Sequence, residues 1–245
     1  MTKTIFLLNV NNFAPDVTRI TYPLIEYYAD RIGASIRMIT QRRFPAWPVT
    51  YEKMQIFTMA KEWPSDFHFY IDSDTLIHPE TPDYSLYLSK GTVCFHDFDL
   101  STVRFKPDEY FLRDGRYMAP GNWFMIASDL CLDLWKPLDI TLQEALSNIY
   151  PCPKEVKAGV TREHLIDDYT LARNISRYGL RVKTAMQIYK EQNLWTGFLQ
   201  HQYLMTHEEQ AAYYKAVIYN DENGWNVGPI YDKIVKEYHG LLHTV

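Results

Sequence analysis

The sequence predicts an α/β fold, with a mostly parallel central sheet flanked by helices on both faces. Three observations carry that expectation. Strand-like and helix-like segments alternate from the start of the chain, the pattern of a parallel sheet wound with helices. The stretch 67–77 is a near-continuous run of aromatic and β-branched residues, as expected of a strand buried on both sides. That run ends in two acids, Asp72 and Asp74, at what would be its carboxyl end, where open α/β sheets bind their ligands.

The elements follow in order. Residues 5–10 read as a short buried strand, with Asn9, Asn11 and Asn12 at its carboxyl end. Asp16 is a plausible cap for a helix running to about Arg31, with Gly33 as its terminator. Pro23 interrupts this stretch, so the helix start is also compatible with Thr21, placing Pro23 in the first turn. A second strand is expected at 35–40. After a loop holding Arg42, Arg43, Trp47 and Pro48, Thr50 is expected to cap a helix reaching about Trp63. The strand ending in Asp72-Ser73-Asp74 then completes a second strand-helix-strand unit.

Beyond Pro82 the pattern is less regular. Strands are expected at 91–98 and 121–127, separated by a mixed charged and aromatic excursion over 100–118. Ser128 or Asp129 is expected to cap a short helix. Thr141-x-x-Glu144 and Thr206-x-x-Glu209 are capping boxes. Asp167 or Asp168 is expected to cap a helix closed by Gly179. Residues 180–185 and 195–203 read as strands, and 229–242 as an amphipathic helix. With no repeat and no linker, residues 1–245 are expected to form a single domain. Residues 1–90 would be its nucleotide-binding half and 91–245 its acceptor-side half with the C-terminal helices.

Composition narrows the function classes. A hydrophobic fraction of 47% supports a sizeable core and argues against disorder. A formal net charge of −5 gives no global field for nucleic acid. The three cysteines, Cys94, Cys131 and Cys152, are widely spaced and suit reduced thiols better than a disulfide framework. No segment has the length of a membrane helix and no signal peptide is evident, so a cytoplasmic location is expected.

Side chains at i and i+2 of an extended segment point the same way, so Asp72 and Asp74 can converge on one ligand. Two close carboxylates repel each other unless something positive lies between them. A divalent cation carrying phosphate oxygens resolves that repulsion, because hard cations prefer oxygen ligands.

Asp72-Ser73-Asp74 at the end of a strand, after a strand-helix-strand-helix start, resembles the Asp-x-Asp motif of nucleotide-sugar-dependent glycosyltransferases of the GT-A fold. Other features of the sequence match that pattern in order. Lys53 lies on the helix before the motif strand, the step Gly121-Asn122 opens a later strand, and Asp167-Asp168 begins a helix. The resemblance implies a GT-A-like (Rossmann-like) sheet and the transfer of a sugar from a UDP- or GDP-sugar to an unknown acceptor. It implies Mn2+ or Mg2+ held by Asp72, Asp74 and a histidine from the C-terminal part, His201 or else His207. Asn9, Asn11, Lys53, Ser73, Gly121 and Asn122 would face the nucleotide sugar. Asp168, with Asp167, would serve as general base in an inverting enzyme or would position the acceptor in a retaining one.

Two rivals remain at this level. The same motif resembles the nucleophile loop of haloacid-dehalogenase-type phosphatases, with Asp72 as nucleophile and Asp74 as acid/base. That family places its motif on the first strand, whereas here two strand-helix units precede it. A non-catalytic carbohydrate-binding relative is the other.

Overall fold

Strands β1 (Lys3–Leu8), β2 (Ala34–Ile39) and β3 (Phe67–Asp72) run parallel, with β1 between the other two. They form half of the central sheet. Two-residue β4 (Leu76–Ile77) follows the acidic motif. Strand β5 (Thr92–Phe95) belongs to the central sheet, and β6 (Phe98–Asp99) pairs with β7 (Ala119–Pro120) in a small ribbon. Strand β8 (Phe124–Ser128) inserts between β3 and β5, antiparallel to both, and β9 (Arg181–Thr184) closes the sheet parallel to β5. The order is therefore β2-β1-β3-β8-β5-β9, and β10 (Leu199–Gln200) pairs antiparallel with β4. This computed structural model describes residues 1–99, 105–116, 119–202, 204–220 and 224–243. The mostly parallel sheet is as the sequence predicts, with β8 reversed.

Alternation along the strands feeds two cores. Ile5, Leu7, Phe69 and Ile71 face helix α1 (Pro15–Ile32), meeting Tyr22, Ile25 and Tyr28. Phe6 and Tyr70 face the opposite side and meet Met59 and Ala60 of α2 (Ile56–Glu62). Helix α3 (Glu109–Asp114) adds Phe111 to that second core and α4 (Leu142–Ser147) adds Ala145, whereas α5 (Pro153–Lys157) contributes no residue to it. Helix α6 (Ile166–Tyr178) supplies Tyr169, Leu171 and Ile175. Burying each such Leu, Ile or Phe side chain contributes about 1.5–3 kcal/mol. Helix α7 (Ala185–Gln192) returns to the first core through Ile188 and Tyr189. On the outer side of α1, Val17, Ile20 and Leu24 pack against α8 (His207–Tyr219) and α9 (Gly228–Glu237).

Several local expectations are corrected. Helix α1 starts at Pro15 behind Ala14, not at Asp16 or Thr21, and carries Pro23 in its interior. Pro23 removes one ladder donor, but α1 is buried along two faces, and that packing outweighs the lost bond. Thr50 is not a helix cap; it lies inside a 3-10 turn, Val49–Gln55, that winds into α2. Asp167 and Asp168 are not caps either. A 3-10 turn, Glu163–Leu165, leads directly into α6, so both acids lie in its first turn. The strand expected at 121–127 begins only at Phe124. Of 195–203, only Leu199 and Gln200 are strand, and Tyr203 lies outside the described residues. Within the excursion at 100–118, residues 100–104 and 117–118 lie outside them, Phe105 bridges to Ile149, and α3 spans Glu109–Asp114 behind an Asp108 cap. Helix α7 was not foreseen, although Thr184-x-x-Gln187 forms a capping box at its start. Both capping boxes expected from sequence are present, as are the Gly33 and Gly179 terminators.

His68, on β3, is buried and stacks against Phe6 at 6.0 Å. Burial pushes its pKa down to about 4, with Asp129 opposing. The folded imidazole therefore resists a proton that the unfolded chain accepts near pH 6.5. Stability is complete above that pH and is lost as the pH falls towards 4, by up to about 3 kcal/mol. Urea unfolding between pH 7.5 and 4.5 should show a shallower acid loss for His68→Phe than for the wild type.

Candidate active site

Asp72 is the last residue of β3, and its backbone N–H donates to the carbonyl of Trp123 at 2.8 Å. The Tyr70 hydroxyl donates to Asp72 Oδ1. Ser73 turns inward: its hydroxyl donates to the Leu8 carbonyl at 2.7 Å, and Thr21 donates to its carbonyl at 2.5 Å. The turn after β3 is thus tied to β1 and α1. Asp74 is fixed by α8, through the Tyr214 hydroxyl on its carbonyl at 2.8 Å and Gln210 Nε2 on Oδ2 at 3.2 Å.

The third member comes from far along the chain. Antiparallel pairing of β10 with β4 sets Gln200 opposite Leu76, so His201 emerges beside the acids. His201 Nε2 lies 3.3 Å from Asp74 Oδ1 and 3.8 Å from Asp72 Oδ2. Trp123 stacks on the imidazole at 5.3 Å with an interplanar angle of 13°. His207, the other histidine considered, packs edge-on against Phe13 instead. Asp72, Asp74 and His201 offer ligand atoms that all lie within 4.8 Å of one another.

Buried charge dominates the electrostatics. Lys53 is 3% exposed, with Nζ 2.7 Å from Asp167 Oδ2 and 3.3 Å from Asp72 Oδ1. Burial alone would lower its pKa, but Asp167 and Asp72 outweigh burial and raise it. The lysine is aimed by its neighbour Glu52, which is fully buried and accepts from Arg42 Nε at 2.7 Å and from the Arg43 N–H at 2.9 Å. Burial raises the pKa of Asp72; Lys53 opposes this and the charge of Asp74 adds to it. Burial also acts to raise Asp74, yet His201 and the bond from Gln210 hold it down at about 2. His201, which burial alone would lower, is raised by Asp74. The acids therefore demand positive charge, from a proton on His201 or from a cation.

Two clefts meet at this cluster. The larger, of about 650 Å³, includes Gly121, Asn122, Trp123, Asp167 and Asp168 in its lining. The smaller, of about 470 Å³, is lined by Leu8, Val10, Phe13, Pro48 and Val49 together with the motif. Asn122 Nδ2 donates to Asp167 Oδ2 at 2.7 Å, whereas Asp167 Oδ1 is buried with no hydrogen-bond partner among the described residues. Gly121 closes on Asp97: a Cβ there would lie 2.4 Å from Asp97 Oδ1.

The structure thus brings together Lys53, Asp72, Ser73, Asp74, Gly121, Asn122, Asp167, Asp168 and His201 around the joined clefts. It does not bring Asn9 or Asn11 to either lining. The Asn9 amide is spent inside, donating to Tyr22 and accepting from the Phe13 N–H at 2.7 Å. Sequence reasoning missed Tyr70, Trp123, Gln210 and Tyr214 as supports of the cluster. Nothing local marks them, except that Gln210 and Tyr214 share one face of α8 by their spacing of four.

Two carboxylate oxygens and one imidazole nitrogen form a donor set suited to a divalent ion. The His201–Asp74 separation is near the roughly 3 Å expected between adjacent ligands of an octahedral ion with bonds of about 2.1 Å.

No protein-family profile and no curated protein matches the sequence. Solved structures do match in fold. A glycosyltransferase involved in the glycosylation of the major capsid of PBCV-1 aligns over 89% of this chain and 100% of its own, with a TM-score of 0.51 at 10% identity. A Drosophila galactosyltransferase 7 variant, crystallised with manganese, UDP-Gal and xylobiose, aligns over 86% of this chain and 74% of its own, with a TM-score of 0.43 at 12% identity. The chain has a GT-A-like α/β fold.

Replacing Lys53 by Met would leave Asp72 and Asp167 buried without their shared cation. Loss of one partner of a buried pair costs about 3–5 kcal/mol. Denaturant unfolding should show that loss for Lys53→Met, and adding Asp167→Asn should restore part of it.

Proposed function

We propose that this protein is a metal-dependent glycosyltransferase that moves a sugar from a nucleoside diphosphate sugar to a hydroxyl acceptor. The observation that carries the reading is the convergence of Asp72, Asp74 and His201 at the junction of two clefts in a GT-A-like fold. The smaller cleft, with its apolar wall of Leu8, Val10, Phe13 and Val49, suits a nucleoside. The larger cleft, with Trp123, Asn122, Asp167 and Asp168, suits a sugar and its acceptor. UDP- and GDP-sugars are the donor classes to test.

The reaction forms a bond from the acceptor oxygen to the anomeric carbon and breaks the bond from that carbon to the diphosphate. Mn2+ or Mg2+ at the triad would supply Lewis-acid stabilisation of the charge on the departing diphosphate. Around it, the chain's own groups have separable roles. Lys53 bridges Asp72 and Asp167 and holds both side chains in place. Asn122 orients Asp167, whose second oxygen is left for a substrate hydroxyl. With Asp167 committed to Lys53, removal of the acceptor proton falls to Asp168 in an inverting reaction; in a retaining one Asp168 positions the acceptor.

Incubation with UDP- and GDP-sugars and Mn2+ should release nucleoside diphosphate, and chelation should stop the release. Asp74→Asn and His201→Ala should each reduce turnover about a hundredfold or more, given the several kcal/mol such a metal supplies. A fully active Asp74→Asn with unchanged Mn2+ dependence, or phosphate release from simple esters without any transfer, would overturn the reading.

A further inference from the structure

Five residues line both clefts and form the seam between them: Thr50, Lys53, Asp72, His164 and His201. Asp72 and His201 belong to the triad, and the Lys53 ammonium is engaged by Asp72 and Asp167. The Thr50 hydroxyl is buried with no hydrogen-bond partner among the described residues. His164 is different, because it is exposed and its ring is already oriented. Its Nδ1 lies 3.1 Å from the backbone N of Thr161 and 3.2 Å from the Thr161 hydroxyl. A backbone N–H can only donate, so Nδ1 accepts and the proton of the neutral ring resides on Nε2, the opposite edge. The seam therefore has one oriented side-chain N–H that neither the triad nor the Lys53 bridge uses.

We infer that His164 Nε2–H donates a hydrogen bond to the second phosphate of a nucleoside diphosphate lying across the seam. The inference rests on the transferase reading above. A nucleoside in the smaller cleft would carry its diphosphate past the triad towards the larger one, and the phosphate nearest the transferred sugar would meet the seam. A divalent cation held by the triad would offer positive charge to one side of that phosphate, and His164 offers a fixed donor from the turn that leads into α6. A nucleoside monophosphate stops short of the seam and gains nothing from it.

Isothermal titration of UDP and GDP in the presence of Mn2+, with UMP and GMP as controls, tests this on wild type, His164→Ala and His164→Gln. A hydrogen bond to a charged acceptor is worth about tenfold to a hundredfold in affinity. His164→Ala should lose that factor for the preferred diphosphate while its monophosphate affinity and unliganded melting temperature stay at wild-type values. His164→Gln, which places an amide N–H near the Nε2 position, should recover most of the loss. Unchanged diphosphate affinity in His164→Ala, or an equal loss on monophosphate and diphosphate, would overturn the role of His164. A wild type that binds at least one of the two diphosphates with Mn2+ keeps the transferase reading intact in either case. A wild type that binds neither overturns that reading and this inference together.

Discussion

The structure depends on one electrostatic constraint: three aspartates from two distant parts of the chain, Asp74 and Asp167 buried and Asp72 half-buried, lie close together and have to be balanced. Asp72 ends β3 with Asp74 in the turn just beyond it, and Asp167 lies in the first turn of α6. Lys53 answers two of them from a 3-10 turn, and His201 answers the motif pair from beyond β10. An isolated buried carboxylate would shift its pKa and neutralise rather than stay charged. The fold instead routes four segments to one point so that the charges compensate.

The remaining architecture can be read as support for that point. Glu52 pins the 41–49 loop so that Lys53 is aimed inward. Ser73 and Thr21 tie the motif turn to β1 and α1, while Gln210 and Tyr214 hold Asp74 from α8. Trp123 both accepts from the Asp72 backbone and stacks on His201. These bonds fix side chains on rigid elements before any ligand arrives, which is the condition for a site that works by electrostatic preorganisation.

The layout also explains why two clefts share one charged seam. The reversed strand β8 places Gly121, Asn122 and Trp123 immediately before it, alongside the end of β3. The first-turn position of Asp167 and Asp168 directs α6 at the same place. As caps outside the helix they would have spent their oxygens on backbone N–H groups; inside the first turn, Asp167 serves Lys53 and Asn122 instead.

The sequence alone determined the layered α/β class, the position of the acidic motif at a strand end, both foreseen capping boxes and the glycine helix terminators. Each depends on local chemistry: alternation of periods, side-chain-to-backbone bonds three residues apart, and the freedom of Gly33 and Gly179 at positive φ. Sequence also singled out Lys53, Asn122, Asp167 and His201, but not the Lys53 bridge between Asp72 and Asp167 or the bond from Asn122 to Asp167. Only the tertiary structure decided that β8 runs backwards and that α1 continues through Pro23. It also decided that His201 rather than His207 meets the acids, and that Asn9 turns away from the clefts. Those outcomes rest on long-range pairing and packing, such as the two-residue β4–β10 ladder that bridges more than a hundred positions, and no local pattern encodes contacts of that range.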